Sequence, residues 1–472
     1  MYTKLERIAE IAGNNPKEKF TSLMHLVNKE MLILCHYELS GNKATGVDKV
    51  TKEEYETNLE NNIDNLLIRM KTFKYRPQPV RRVYIDKSGS NKKRPLGIPA
   101  YEDKVVQLAI NKILKSIYEQ DFIDSSFGFR QNRSCHDALK ILNVYLSEKN
   151  VNYVVDADIK GFFDNVDHKW LMKFLEHRIA DKNLLRYIGR FLKTGIMENG
   201  KFYKVYEGTP QGGIISPTLA NIYLHYVLDI WFNNFIKKKC KGQAYIVRYA
   251  DDFVCCFQYE DEAKAFYEAL KNRLDKFNLQ VAEDKTKILY FGKNAYYDRK
   301  FKRAWKLESY KDRTFDFLGF THFCSCRKNG SFRVKRKTSS KKFGASIKRL
   351  NEWLKNNRTV PLTLLMEKLT QRLIGYYRYY GITDNSLSLA TFRYLVRKLT
   401  FKWLNKRSQK RSYNWRSFDT MFECFKIPKA KIYVNIFNLK EDISYILWII
   451  MWGAVCGKSA RTVLRGVREV IP

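Results

Sequence analysis

Two apolar runs that meet at a pair of carboxylates constrain this chain more than any other feature. Tyr245-Ile-Val-Arg-Tyr-Ala-Asp-Asp-Phe-Val-Cys-Cys-Phe257 reads as two β-strands joined by a turn that carries Asp251 and Asp252. Adjacent carboxylates at a strand turn repel each other unless a divalent cation neutralises them. A second β-rich stretch, Tyr153-Val-Val-Asp-Ala-Asp-Ile159, puts Asp156, Asp158 and Lys160 on one face by its period of two. If that strand lies beside the hairpin, three carboxylates converge. Such an oxygen-only set suits a pair of magnesium ions clamping an in-line phosphoryl displacement. An isolated Asp-Asp is more often an ordinary solvated turn, so its company in the chain decides between the two.

Charge narrows the partner class. The chain of 472 residues has 86 Lys and Arg against 49 Asp and Glu, a formal net of +37. Residues 301–472 carry 37 of the basic residues and 11 of the acidic ones, a net of +26. No acidic residue falls between Asp316 and Glu352 or between Asp384 and Asp419. A compact body with that excess repels itself unless it meets a polyanion, so nucleic acid leads and a neutral-metabolite enzyme is disfavoured. The first three hundred residues read as a mixed-charge enzyme body, the last third as a polyanion surface.

The periodicities place elements around these features. Residues 1–72 read as helical, with a polar break at Ser40-Gly-Asn-Lys-Ala-Thr-Gly-Val-Asp48. From Val80 the period changes, and Ser88-Gly-Ser-Asn91 supplies the turn of a hairpin with a basic tip. Helical patterns return at 101–120 and 136–148, and again from Lys335 onward with Tyr and Trp among the lysines and arginines. The nine cysteines are an odd count without a C-x-x-C pair, which indicates free thiols in a reducing compartment. The N-terminus has no apolar signal core, and the longest apolar run, Ile443 to Cys456, is too short to span a bilayer. These features predict a soluble, intracellular protein with no membrane partner. His322, Cys324 and Cys326 alternate as zinc ligands could, but no fourth ligand is evident, and they read as strand residues. Cys255 and Cys256 read as small packing groups.

Seven blocks occur in order. They are Lys93-Arg-Pro-Leu-Gly-Ile-Pro99, Ser126-Phe-Gly-Phe-Arg-Gln-Asn-Arg-Ser-Cys-His-Asp-Ala-Leu139 and Asp156-Ala-Asp-Ile-Lys-Gly-Phe-Phe-Asp-Asn-Val-Asp-His168, then Gly208-Thr-Pro-Gln-Gly-Gly-Ile-Ile-Ser-Pro217 with Leu219-Ala-Asn-Ile-Tyr-Leu224. Val247-Arg-Tyr-Ala-Asp-Asp-Phe253, Lys285-Thr286 and Phe315-Asp-Phe-Leu-Gly-Phe320 complete the series. The series resembles the reverse transcriptase blocks of bacterial group II intron-encoded proteins, from about Lys43 to about Phe418. Leu373-Ile-Gly-Tyr-Tyr-Arg-Tyr-Tyr-Gly381 and Trp403-Leu-Asn-Lys-Arg-Ser-Gln-Lys-Arg-Ser-Tyr-Asn-Trp415 are similar to the family's maturase-specific thumb, which retrons are not expected to carry.

The resemblance implies an α/β right-hand polymerase. Its fingers and palm would hold a mixed or antiparallel sheet, followed by an α-helical thumb and a small basic C-terminal domain. The implied division is an N-terminal helical extension over 1–50, fingers and palm over 51–334, a thumb or maturase domain over 335–418 and a DNA-binding region over 419–472. By the same resemblance Asp158, Asp251 and Asp252 are the catalytic, metal-binding triad for two Mg²⁺ ions, with Mn²⁺ as a substitute. Arg81, Lys87 and Arg94 grip the triphosphate of the incoming dNTP. Phe163 presses on the sugar 2′ position and excludes ribonucleotides, and Gln211 packs against the nucleotide. For Arg81 and Lys87 a solvated hairpin face is an equally good reading of the residues alone.

The activity implied is RNA-directed DNA polymerisation on an RNA template with a DNA primer. It is joined to maturase binding of the group II intron RNA and to retrohoming into a DNA target, in the cytoplasm with RNA and nucleoid DNA. Many family members end in a zinc-dependent HNH endonuclease, but no histidine follows His322 here, so these residues are expected to lack that site. Priming would then start from nascent DNA or from a partner's nick. Two rival readings remain at this level: an RNA-binding splicing cofactor with a vestigial site, and an intron-independent reverse transcriptase in repair or defence.

Overall fold

Helices come first because apolar residues recur at every third or fourth position. In the computed structural model, which describes residues 2–86, 93–301, 313–410 and 412–439, these are α1 (Tyr2–Asn14), α2 (Lys29–Glu38), α3 (Lys52–Glu56) and α4 (Leu59–Lys71). The polar break at 40–48 separates α2 from α3 as the sequence predicts. Two strands follow, β1 (Val80–Asp86) and β2 (Lys93–Ile98), paired antiparallel with Ile85 opposite Arg94 and Arg81 opposite Ile98. The tip between them, Lys87 included, lies outside the described residues. Next come α5 (Tyr101–Tyr118), on which α1 and α2 pack, and α6 (Cys135–Glu148), which opens on a reciprocal Ser134–Asp137 cap.

The chain then crosses the centre in β3 (Tyr153–Ala157), passes through α7 (His168–Glu176) and α8 (Lys182–Leu192), and turns back in a short hairpin, β4 (Ile196–Glu198) and β5 (Lys201–Tyr203). Val80 and Arg81 of β1 pair parallel with Ile196 and Met197 of β4, which completes a mixed four-stranded sheet, β2-β1-β4-β5. Helix α9 (Ser216–Leu224) runs on through two π-wound segments, His225–Asp229 and Phe232–Ile236, into α10 (Lys237–Lys239).

The expected hairpin is present as β6 (Ala244–Tyr249) and β7 (Asp252–Phe257), followed by α11 (Glu260–Asp275) and β8 (Lys287–Tyr290). The antiparallel sheet runs β6-β7-β3-β8, so β3 does lie beside the carboxylate hairpin. Its period of two is visible in its two burials. Val155, Phe253, Cys255 and Phe257 face one hydrophobic core, shared with α1, α5, α8 and α9; Val154, Val247, Val254, Cys256 and Leu289 face another, shared with α6. Cys255 and Cys256 are thus packing groups, one per face, and the eight described cysteines are all free.

After α12 (Lys293–Lys300), a second antiparallel sheet covers the latter core: β9 (Thr314–Phe317), β10 (Phe320–Cys326) and β11 (Phe332–Thr338). His322 is buried there in a ring stack on Phe315, and Cys324 points at the Gly292 carbonyl, as strand residues do. Here one expectation fails: the chain is not helical from Lys335. Phe332, Val334 and Arg336 turn inward on β11, and the helix starts five residues later.

Four helices close the described chain: α13 (Ser340–Asn356), α14 (Leu362–Tyr380), α15 (Ser386–Leu404) and α16 (Trp415–Cys424). They share a third core around Leu350, Leu369, Leu373, Phe392, Trp403 and Phe418. Helix α16 runs across position 418; Phe422 and Ile427 join this core, and Asp419 pairs with Arg397 of α15. Among the described residues no helix is long and apolar enough to cross a membrane. The apolar run from Ile443 to Cys456 lies outside them.

Candidate active site

Register brings the carboxylates together. Tyr249 opposes Asp252 across the β6–β7 turn, while Ala157 of β3 opposes Phe253 of β7, so Asp158 leaves β3 level with the turn. Although one edge of Asp252 meets solvent, burial of the rest, with the charges of Asp251 and Asp158, pushes it up to about 6. Burial also raises Asp251; Asp158 adds to that rise, and Arg94 and Arg248 oppose it. Asp156 is pushed up to about 7, first by burial and then by Asp252, Asp316 and Asp158. Perturbation of this kind, from burial plus the like charge of neighbouring carboxylates, points to functional sites.

Lys285, at the loop before β8, closes the set. Its ammonium lies 2.5 Å from Asp158 Oδ2, and that hydrogen bond raises its pKa above the usual lysine value. Among the described residues no three acidic, His or Cys groups are gathered tightly enough to enclose an ion as they stand. The donors that share the rim are nonetheless all carboxylate oxygens whose charges resist one another. That chemistry fits a hard divalent cation and would be relieved by one.

The other predicted residues surround this rim unequally. Arg94, on the same face of the fingers hairpin as Arg81, acts electrostatically on Asp251. Arg81 instead donates from Nε and Nη2 to the Thr45 carbonyl, at 3.0 and 2.6 Å, and so ties the hairpin to the N-terminal polar break. Phe163 sits in a single helical turn that starts at Gly161, in the left-handed region at φ +55. Its ring meets Phe162 and Phe129 edge-on. The Gln211 carbonyl accepts from Gly97 N at 2.6 Å, which fastens the 208–217 loop to β2. Phe163 and Gln211 line one hollow of about 350 Å³ together with Arg82, Lys204, Tyr206 and Thr209.

Several of these residues carry no role in the sequence reading. Arg82 and Lys204 add positive charge to the hollow that Phe163 and Gln211 line, and Lys285 was legible only as part of a motif. Arg248 is wholly buried and bound to Asp229. A lone arginine at an inward position of an apolar strand was the available signal for it, since a buried cation must find a partner.

An antiparallel sheet bearing carboxylates at a hairpin turn, with a mixed sheet beside it in the chain order and a helical unit after it, suits one class, a right-hand nucleic-acid polymerase. Residues 85–322 match the family described as reverse transcriptase (RNA-dependent DNA polymerase), and the chain belongs to that family. It is 43% identical over 222 residues to the group II intron-encoded protein LtrA of Lactococcus lactis subsp. cremoris, covering 47% of this chain and 37% of LtrA. It is 33% identical over 316 residues to Protein YkfC of Escherichia coli, covering 60% of this chain and 83% of YkfC. It is 28% identical over 313 residues to a putative COX1/OXI3 intron 1 protein of Saccharomyces cerevisiae, covering 55% and 37%. The chain thus spans little more than a third of the length of LtrA. These relatives bear out the resemblance to group II intron reverse transcriptases.

Proposed function

We propose that this chain is an RNA-directed DNA polymerase that copies group II intron RNA and also binds that RNA as a maturase, in the service of splicing and retrohoming. The observation that carries the polymerase reading is that Asp158, Asp251 and Asp252 lie level with one another at the same end of the adjacent strands β3, β6 and β7, in a chain of the reverse transcriptase family.

In this reading the primer 3′-hydroxyl attacks the α-phosphate of a dNTP at the carboxylate rim. Asp158 and Asp251 hold the cations and Asp252 supports them; two Mg²⁺ ions, when bound, supply Lewis-acid polarisation of the reacting oxygens. Lys285 pairs with the Asp158 carboxylate and helps to orient it. Arg81, Arg94 and Lys87 meet the triphosphate, charge-assisted contacts that gain strength as charge builds on the leaving group. Phe163 sets a wall against a 2′-hydroxyl, and Gln211 packs against the nucleotide.

We assign 1–50 to an N-terminal extension, 51–334 to fingers and palm, 335–418 to the thumb and 419–472 to a DNA-binding region. The thumb helices support the RNA-binding half of the reading. Lys398 lies 4.5 Å from the half-exposed Tyr394 ring, a cation over a ring of the kind that meets phosphate and unstacked base together.

The test is extension of a DNA primer annealed to an RNA template, with dNTPs and Mg²⁺, in wild type and Asp251→Ala. Full-length product from the wild type alone, with the variant melting normally, is the expected result. Extension by Asp251→Ala near the wild-type level would refute the assignment.

A further inference from the structure

Behind the carboxylate turn lies an ion pair that phosphoryl transfer does not itself require. Arg248 and Asp229 are both fully buried. Arg248 donates from Nε to Asp229 Oδ1 at 2.7 Å and from Nη2 to Asp229 Oδ2 at 2.5 Å, a two-point fork on one carboxylate. Its remaining nitrogen, Nη1, donates to Asn221 Oδ1 at 3.0 Å and to the carbonyl oxygen of Ala250 at 2.9 Å. Asn221 in turn donates from Nδ2 to the Gly128 carbonyl at 2.6 Å. His225, near Asp229 but lowered to about 4 by burial, adds no charge near neutral pH.

Ala250 is the residue immediately before the catalytic pair, and its φ is +59. An L-residue with a Cβ enters that left-handed region only when its surroundings hold it there. The Ala250 carbonyl belongs to the peptide that carries the Asp251 nitrogen, so whatever fixes that carbonyl fixes the direction in which Asp251 leaves the turn. Stability alone does not account for the pair. A buried ion pair is often matched or bettered by apolar residues of the same volume. Apolar residues could not donate to Ala250.

We propose that Arg248 is a positioning residue for the metal-binding carboxylates. Anchored on Asp229, it holds the Ala250–Asp251 peptide in its left-handed turn, which sets Asp251 and Asp252 at the spacing that takes a divalent cation. This inference rests on the polymerase reading for its purpose, but not for its measurement.

Binding of Mn²⁺ to the full chain without nucleic acid, followed by electron paramagnetic resonance, reports how well the carboxylates are placed to hold a divalent cation. Two variants separate positioning from support. Arg248→Met with Asp229→Leu replaces the pair by apolar volume and removes the donor to Ala250. Arg248→Lys keeps the charge beside Asp229 and loses the fork. We expect both to bind Mn²⁺ about tenfold more weakly, and to incorporate a single dNTP on the order of a hundredfold more slowly, the scale of an ångström-sized misplacement. The double variant should melt like wild type.

Mn²⁺ affinity within twofold of wild type in a double variant of normal melting temperature would make Arg248 a structural residue only. If the double variant melts early, Arg248→Lys decides, and unchanged Mn²⁺ affinity there overturns the inference equally. A wild type that binds Mn²⁺ through Asp251, loses that binding in these variants and yet extends no primer would sink the polymerase reading and leave the positioning role standing.

Discussion

Gly128 offers the sharpest test of how tightly the Asp251–Asp252 turn is held. It is buried in the block Ser126-Phe-Gly-Phe-Arg130, and a Cβ built there would lie 2.2 Å from the Ala250 nitrogen and 2.9 Å from both the Ala250 Cα and the Tyr249 carbonyl carbon. All three are backbone atoms, so no side chain can swing aside. Ordinary contact begins near 3.4 Å, so the turn at Ala250 or the loop that carries Gly128 must move by roughly 1.2 Å. Arg248 grips the far side of the same turn, and Asn221 grips the Gly128 carbonyl. The displacement therefore passes to Asp251 and Asp252. A shift of about 1 Å in reacting groups slows chemistry on the order of 10²-fold, equivalent to about 2.7 kcal/mol of barrier. Gly128→Ala should accordingly lower the rate of single-nucleotide incorporation by about that factor in a rapid-quench assay at saturating dNTP and Mg²⁺. Gly189→Ala on α8 is the control, because nothing lies within 4 Å of its added Cβ. There the same change should leave the rate alone and stabilise the helix by up to about 1 kcal/mol. A Gly128→Ala enzyme within threefold of wild type would refute the reasoning.

Three further outcomes follow from particular contacts. Phe163→Val should open the wall of the hollow and admit ribonucleotides, seen as a fall of at least tenfold, on the order of 1.4 kcal/mol, in the preference for dNTP over rNTP; an unchanged ratio would remove Phe163 from that role. Asp103, buried on α5 where its carboxylate accepts from the Tyr75 hydroxyl and from Gln78 N at 2.9 Å, is pushed up to about 7, chiefly by burial, from a usual 3.8. The folded state then holds this proton more tightly than the unfolded state, so the contribution is greatest at low pH and is lost as pH rises from about 4 through 7. Between pH 5 and pH 8 the stability of wild type relative to Asp103→Asn should fall by about 2–3 kcal/mol in urea titrations, at about 1.4 kcal/mol per pH unit, and parallel pH profiles would contradict this. Phe418→Ala should destabilise the helical unit by about 3–5 kcal/mol, since the ring is fully buried against Phe401, Trp415 and Phe422. Protease cleavage should accelerate across 340–427 while the palm stays resistant, and equal sensitivity in both would show that the helices do not form a unit of their own.

The legible parts of the fold are those where one periodicity acts without interference. The β6–β7 hairpin and β3 could be read because apolar runs stop at charged residues that no interior would accept unpaired. α5 and α6 could be read because their apolar stripes are long. The start of the C-terminal helices could not. In Phe332-Arg-Val-Lys-Arg-Lys-Thr338 the outward lysines resemble a basic helix, and only pairing along β10 shows that the alternation is the true signal. The β4–β5 hairpin is too short for a periodic signal, yet its turn is Asn199-Gly200, with φ of +48 and +77. That dipeptide favours a tight hairpin turn by itself.

The site divides along the same line. That Asp158, Asp251 and Asp252 would share one end of a sheet was readable because apolar runs stop at them, at the end of β3 and in the β6–β7 turn. What holds them in place was not, because it is written in single residues far apart: Gly128, Asn221, Asp229, Arg248 and Lys285. Each is unremarkable alone. Arg248 in its apolar strand announces only that it needs a partner, and that the partner is Asp229, 19 positions away, shows only in the fold; Gly128 becomes informative only when Ala250 is found against it. Sequence order says which groups could do the chemistry; tertiary contact decides whether they stand close enough to do it. That is why substitutions at Gly128 and Arg248 discriminate better than another carboxylate deletion. Removing Asp251 tests whether the site is catalytic, whereas moving its turn by about 1 Å tests whether catalysis depends on the placement that distance describes.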